Sequence, residues 1–270
     1  MMMKLNSSLF SIPFVNNVLY YDTITSTNDK AKELALRGSV HGSLVVAKSQ
    51  TKGKGRLGRS FDSKTSEGLY FSLMLRPNVS PEHLSGITLV AALAVSNAID
   101  NFCHVKTSIK WPNDIYLNNK KIVGILTEAG PGYVVCGSGI NVNTKAFDVA
   151  ISDTATSLYL ETGHSFCKEN LLKEILICLD KLYSSFVAND DLTFMKEEYN
   201  NRLLALNQDV YIIPQSLTQS NPNPANIDTS GLSPVSCLGI DHRGQLVCQD
   251  EDGKLQYVSS GEVSFRRVYI

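Results

Sequence analysis

Between positions 52 and 59 four cations, Lys52, Lys54, Arg56 and Arg59, are interleaved with Gly53, Gly55 and Gly58. Glycine lets a backbone come close to a ligand and lets successive amides point into one concavity. Interleaved guanidinium and ammonium groups add positive charge, and the combination suits an anion, phosphate above all. A solvated basic surface loop is the alternative reading of this segment alone. GKGRLG at 53–58 also fits G-x-G-x-x-G, but a dinucleotide site needs a helix directly after the glycines and an acid some 20 residues on. RSFDSKTSEG and then a strand follow instead, and residues 73–79 hold no Asp or Glu. No G-K-[ST] closes the loop as in a P-loop.

A second group lies in KWPNDIYLNNKKIVGILTE at 110–128, around Trp111, the single tryptophan of the sequence. Pro112 biases its predecessor toward extended backbone. Asn113 and Asp114 emerge at a strand start, and Lys121 returns on the partner strand, where it can project near Asp114. Any one of these residues is ordinary turn or edge chemistry; the run as a whole is not.

The elements around these groups alternate. TSTNDKAKELALRG reads as a helix capped by Ser26 or Thr27 and ended by Gly38. SLVVAKS and LYFSLMLRP read as strands flanking the glycine-rich loop from Gln50 to about Gly68. Ser80 and Pro81 open a predicted helix that runs to about Cys103. TSIKWP is a strand, and IYLNNKKIVGILTEAG a hairpin turning at Asn118–Asn119. YVVCGSGINV is a further strand, and helices are predicted at 168–188 and near 192–204. The tight hairpin implies an α+β protein with a mixed sheet and packed helices. At about Leu206 the composition changes. QDVYIIP precedes a proline-, serine- and asparagine-rich loop at about 214–233, then short alternating runs separated by HRG and EDG turns. That pattern predicts a small antiparallel barrel, dividing the chain into 1–205 and 206–270.

The 270 residues carry 25 Lys+Arg against 26 Asp+Glu, a formal charge of -1, which disfavours a general polyanion binder. The longest apolar run, Ile87 to Val95, is too short to span a bilayer, which takes about 18 residues. The amino terminus has no signal-peptide pattern, and its repeated methionines leave the start codon open. Six scattered cysteines, none in C-x-x-C, fit a reducing, cytoplasmic setting without a metal site.

KWPNDIYLNNKKIVGILTE resembles the signature of biotin protein ligases. Other blocks of that family follow in order: STN at 26–28, QTKGKGRLGRSF at 50–61, GSGINVN at 137–143, ATSL at 155–158 and SSGEVSFR at 259–266. The resemblance runs from about 22 to 268. It implies a catalytic domain related to class II tRNA synthetases and lipoate ligases, followed by an SH3-like barrel. It also implies a two-step reaction. Biotin's carboxylate attacks the α-phosphate of Mg-ATP to give biotinyl-5′-AMP and pyrophosphate. A lysine on the biotin carboxyl carrier domain of a carboxylase such as acetyl-CoA carboxylase then takes the biotin and releases AMP.

By the same resemblance Ser26, Thr27, Asn28 and Gln50 meet biotin's ureido end, and Gly53, Lys54, Gly55, Arg56, Lys121, Gly124, Gly137 and Gly139 complete the biotin site. Lys54, Arg56, Arg59, Phe61, Asn113, Lys121 and Asn141 serve ATP and the adenylate. Arg56 clamps phosphate, Lys121 lies between carboxylate and α-phosphate, and Asp114 meets the incoming lysine; these three are the catalytic set. Mg²⁺ arrives with ATP, and no protein metal site is implied. Two positions depart from the pattern: Phe61 stands for the family's adenine-stacking tryptophan, and Lys54 for an arginine. Only about 20 residues precede the STN block, so no operator-binding domain and no repressor activity are expected. The resemblance allows a homodimer through a sheet edge. Lipoate ligases are the nearest enzymatic rival, but their R-R-x-x-G-G-G-A-x-x-H block is absent.

Overall fold

A computed structural model describes residues 12–213, 231–259 and 262–264. The amino-terminal part is built on a seven-stranded sheet. In chain order its strands are β1 (Asn17–Ile24), β2 (Ser43–Gln50), β3 (Leu69–Leu75), β4 (Ser108–Lys110), β5 (Asp114–Leu117), β6 (Lys120–Gly130) and β7 (Tyr133–Ile140). Their spatial order is β1-β2-β3-β7-β6-β5-β4, with β1 and β2 parallel and every other neighbour antiparallel. The sheet is therefore mixed, as the hairpin signal required. Asn118 and Asn119 both take positive φ, 48° and 64°, the turn that brings β6 back along β5.

The two sheet faces carry different loads. Alternate residues of β2 and β3 (Leu44, Val46, Leu69, Phe71, Leu73, Leu75) enter the main core with helices α2 (Gly86–Cys103) and α4 (Lys168–Asn189). The intervening Val45 and Met74 face the other way, with Val135 and with Ala31 and Ala35 of helix α1 (Thr27–Leu36). Strand periodicity thus puts every second residue on the α1 face. Two rows cross that face in register. One joins Asp114, Gly124, Gly139 and Tyr70; the next joins Leu126, Gly137, Ser72 and Val45. Both rows are low at the glycines, which leaves a trough beside the first turn of α1.

Several sequence expectations change. The predicted helix from Ser80 to Cys103 is divided into a 3₁₀ turn at Pro81–His83 and α2 from Gly86. Ser80 caps nothing, because its hydroxyl donates to Asp190 Oδ2 at 2.6 Å, and Gly86 lies close under Phe186 and Leu192. Strand β1 and the short helix α3 (Leu158–Thr162) have no counterpart in the sequence reading. Nearest to the second is the ATSL block, whose Ser157 caps α3 by accepting from Leu160 N at 3.1 Å. Pro81–Cys103 is also long and apolar enough to cross a bilayer once its scattered small and polar residues are averaged in, but most of it is buried inside the protein, between the sheet and α4.

Helix α5 (Lys196–Arg202) leads to a second sheet of five strands: β8 (Asp209–Ile213), β9 (Val235–Ile240), β10 (Leu246–Gln249), β11 (Leu255–Val258) and β12 (Glu262–Ser264). Their order is β11-β10-β9-β8-β12, antiparallel throughout. The loop predicted at 214–233 lies mostly outside the described residues, as does part of the 259–266 block. This sheet shares the main core: Val210, Val235, Cys237, Ile240, Leu246, Cys248 and Val258 belong to the same buried cluster as α2 and α4. Trp111 Nε1 donates to Gly244 O at 3.0 Å, and Ile240 N donates to Asn200 Oδ1 of α5 at 2.8 Å, tying the second sheet to the β4–β5 connection and to α5.

Candidate active site

The trough holds two adjoining recesses. The narrower, of about 310 Å³, is lined by Ser26, Thr27, Asn28, Gln50 and Gly137 at one end and by Phe61, Gly124 and Gly139 at the other. The wider, of about 560 Å³, is lined by the cationic loop together with Asn113, Asp114 and Lys121. Lys54, Phe61, Gly124 and Leu126 line both.

The narrow end is a dense polar cluster. Ser26 caps α1, its Oγ accepting from Asp29 N at 3.4 Å, and so fixes the helix start that delivers Thr27 and Asn28. Gln50 Oε1 accepts from Thr27 N at 2.7 Å, and its Nε2 donates to Ser63 Oγ at 3.1 Å. Asn28 Nδ2 donates to Leu126 O at 3.1 Å and to Glu128 Oε2 at 2.8 Å. Ser72, fully buried, reaches both Thr27 and Asn28. Gly137 makes room for the amide: a Cβ there would stand 1.8 Å from Asn28 Oδ1.

The glycine loop is folded back on itself. Lys54 and Ser60 form an isolated antiparallel bridge, Gly55 N donates to Arg59 O at 2.7 Å, and Phe61 N donates to Gly53 O at 3.0 Å. At its tip Leu57 takes φ 56° and stays 45% exposed, left-handed backbone that a leucine adopts only under constraint. The loop ends by laying the Phe61 ring on the trough. Cβ atoms at Gly139 and Gly124 would meet that ring at 2.6 and 3.1 Å, and it meets Tyr70 edge-to-face at a centroid distance of 6.5 Å. The glycines of the first row are thus covered by an aromatic side chain, which sits between the two recesses.

Charges in the wider recess are already paired. Lys121 Nζ lies 2.7 Å from Asp114 Oδ2. Arg56 Nη1 donates to Asn113 Oδ1 at 3.0 Å, and Asn113 Nδ2 donates to Asp114 Oδ1 at 3.0 Å, making one chain from loop to sheet edge. Lys54 Nζ lies 2.7 Å from Asp29 Oδ1, an acid that Lys32 also contacts at 3.1 Å. Partial burial pushes the Asp29 carboxyl up, but hydrogen bonds from Lys54 and Lys32 outweigh it and hold the group below its usual value.

The fold therefore brings together Ser26, Thr27, Asn28, Gln50, Lys54, Gly55, Arg56, Arg59, Phe61, Asn113, Asp114, Lys121, Gly124, Gly137 and Gly139. Two residues from the sequence reading line neither recess. Gly53 is a packing position, where a Cβ would collide with Ser63 Oγ at 2.2 Å. Asn141 is buried and gives its Nδ2 to Thr156 O at 3.0 Å, holding the 155–158 segment. Thr156 N donates to Lys121 O, and Thr154 O, just before that segment, accepts from Lys121 N. Ser72 and Glu128 went unassigned in the sequence. Each carries a weak signal: Ser72 is polar inside an apolar strand, and Glu128 is two residues beyond Leu126 on the same face.

The profile of the biotin/lipoate A/B protein ligase family matches residues 20–143, and that of the biotin protein ligase C-terminal domain matches 236–266. The bifunctional ligase/repressor BirA of Bacillus spizizenii is 39% identical over 244 residues, covering 88% of this chain and 70% of the relative. The chain belongs to the biotin protein ligase family. Biotin–protein ligation, with biotin and ATP as substrates, is the activity of that family. The biotin–[acetyl-CoA-carboxylase] ligase of Mycobacterium tuberculosis is 28% identical over 254 residues, covering 90% of this chain and 87% of its own. Among solved structures, the Aquifex aeolicus biotin protein ligase in complex with biotin and ATP superposes with a TM-score of 0.79 at 30% identity, covering 93% of this chain and 99% of that one.

Proposed function

We propose that the protein forms biotinyl-5′-AMP from biotin and Mg-ATP and transfers biotin to a lysine of a biotin carboxyl carrier domain, that of acetyl-CoA carboxylase. The observation that carries this reading is the pair of recesses meeting over one glycine row. A neutral amide and hydroxyl cluster stands at one end and a cation cluster at the other. A bicyclic urea with a carboxylate tail fits the first and points its acid at the second. Lys54, Arg56 and Lys121 then surround the place where carboxylate and α-phosphate meet. Lys121 leaves Asp114 for those two anions and offsets the charge that grows as they react. Mg²⁺ rides on the triphosphate, as that ion usually does. Holding both reactants in one trough supplies the remainder of the rate.

Asp114 is then released to the second step. A free lysine has a pKa near 10.4, so only about 0.1% is neutral at pH 7.4. A carboxylate next to the anhydride orients the amine and accepts its hydrogen bond. Phe61 stacks on the adenine once it leaves the glycine row, and Arg56 with Arg59 closes over phosphate. The catalytic part is residues 1–205 and the carboxy-terminal part 206–270. Their folds are those of a class II synthetase-related domain and an SH3-like barrel. The near-neutral charge of -1 supports a cytoplasmic ligase without operator binding.

ATP–pyrophosphate exchange, run with biotin and separately with lipoate, tests the reading. Exchange with biotin is expected, followed by labelling of a carrier domain on one lysine. Exchange with lipoate alone would move the protein to the sister activity, and exchange with neither acid would overturn the proposal. A gel-shift assay with operator DNA should show no complex.

A further inference from the structure

Three contacts at the floor of the narrow recess share two protons. Leu126 O and Glu128 Oε2 can only accept, so the Asn28 amide nitrogen must face them and Oδ1 must face Ser72. The backbone N–H of Thr27 can only donate, so Gln50 Oε1 is fixed as well. Between these two amide oxygens runs a chain of hydroxyls. Ser72 Oγ lies 2.6 Å from Asn28 Oδ1, Ser72 Oγ 2.8 Å from Thr27 Oγ1, and Thr27 Oγ1 3.0 Å from Gln50 Oε1. Both ends accept, and each hydroxyl brings one proton. One contact of the three is therefore left without a hydrogen. The floor is an acceptor surplus, and a ligand that brings N–H donors corrects it.

The orientation of Asn28 decides which atom the ligand meets. Glu128 holds the Nδ2 side, and Glu128 Oε1 is itself held by Lys32 Nζ at 2.8 Å. Partial burial lowers the Lys32 pKa, but hydrogen bonds to Glu128 and Asp29 outweigh it and raise the group above its usual value, so this anchor stays charged. Ser72 holds the Oδ1 side. Leu126 O also accepts from Nδ2, so losing Ser72 or Glu128 loosens the lock on the amide without abolishing it.

We propose that Ser72 and Glu128 are positioning residues that lock Asn28 with its oxygen as the acceptor, and so make ring N–H groups a requirement for the bound acid. The inference rests on the reading that the urea ring of biotin occupies this end of the trough. It deepens that reading by naming what sets its selectivity.

Calorimetric titration of the intact protein with two acids tests it. One is biotin; the other is its cyclic carbonate analogue, in which both ring N–H groups are replaced by oxygen. The unaltered protein should prefer biotin by about 100-fold or more. Ser72→Ala and Glu128→Ala should each lower that preference about ten-fold, by weakening biotin and not the carbonate. Glu128→Gln keeps an acceptor for Asn28 and should keep most of the preference. Equal weakening of both acids, or no change in either, overturns the positioning role. Glu128 is partly exposed, so its variants report even if Ser72→Ala lowers stability. Asn28→Ala separates the two levels of argument. If it leaves biotin affinity unchanged, the ring binds elsewhere and the site reading itself fails. If it weakens biotin while Ser72 and Glu128 variants do not shift the ratio, only the positioning proposal falls.

Discussion

Lys121 and Asp114 lie 2.7 Å apart, though the proposed mechanism gives them different half-reactions. In Lys121→Ala, biotin-dependent pyrophosphate exchange should fall at least about 100-fold, because the cation proposed to bridge carboxylate and α-phosphate is lost even with Lys54 and Arg56 in place. Normal exchange in a folded variant would remove that role. Asp114→Asn should slow transfer to the carrier lysine more than it slows exchange, since Lys121 keeps its charge. Single-turnover assays of each half-reaction would show it, and equal slowing would refute the assignment. Arg56 reaches across to Asn113 from the loop. Arg56→Gly should release adenylate and label bystander proteins, read by mass spectrometry of added albumin; unchanged leakage would reject the clamp. Most of these side chains were legible because their motifs are contiguous: N-D at a strand start, K on the return strand. Asn141 was assigned to the nucleotide because it sits in G-S-G-I-N. Its amide donates to Thr156 O, a direction that spacing along a strand does not specify.

At the scale of elements, the end of α1 shows how a loop is held without a dedicated motif. Arg76, just past β3, donates from Nε and Nη2 to Ser39 O, from Nη2 to Ala35 O and from Nη1 to Gly132 O. Its backbone N–H donates to His41 Nδ1 at 3.0 Å, so the neutral ring carries its proton on Nε2. Burial holds His41 below its usual pKa, with Arg76 adding to it and Asp180 opposing. The fold therefore favours the neutral ring. That contribution is complete above the unfolded value of about 6.5 and is lost as pH falls through the folded value. Urea midpoints should fall more steeply between pH 7.5 and 5 in the native protein than in His41→Asn. Parallel slopes would refute it. The hairpin, the long strands and α4 were legible from periodicity and turn residues. Strand β1 was not, because in NVLYYDTI no residue is fully buried, and even the core-facing Val18 and Tyr20 are only partly covered. The helix start at Ser80 failed because Asp190, far along the chain, claims the serine's hydroxyl.

At the scale of the molecule, the two sheets are one buried cluster, although the composition changes sharply at Leu206. Trp111, 4% exposed, stands at their junction with its indole nitrogen on Gly244 O. Unfolding followed by tryptophan emission and by far-UV circular dichroism should give coincident transitions. Trp111→Phe leaves a buried carbonyl without its donor and should cost about 2 kcal/mol, read as a lower denaturant midpoint at unchanged slope. Separate transitions would mean that the parts fold independently. Sequence composition suggested a boundary and could not show that the core crosses it, since burial of Cys237 and Cys248 depends on which helices the second sheet meets.

The Phe61 ring also sets a rule for inhibitor chemistry. Two fragments, one seated among the amides and one among the cations, can each bind with the ring at rest on its glycines. A linker joining them must cross the strip that the ring covers. Displacing it forfeits contact with Gly124, Gly139 and the edge of Tyr70, so the tethered compound recovers less than the sum of its halves. The shortfall is regained by a linker that carries its own flat group to lie where the phenyl lay.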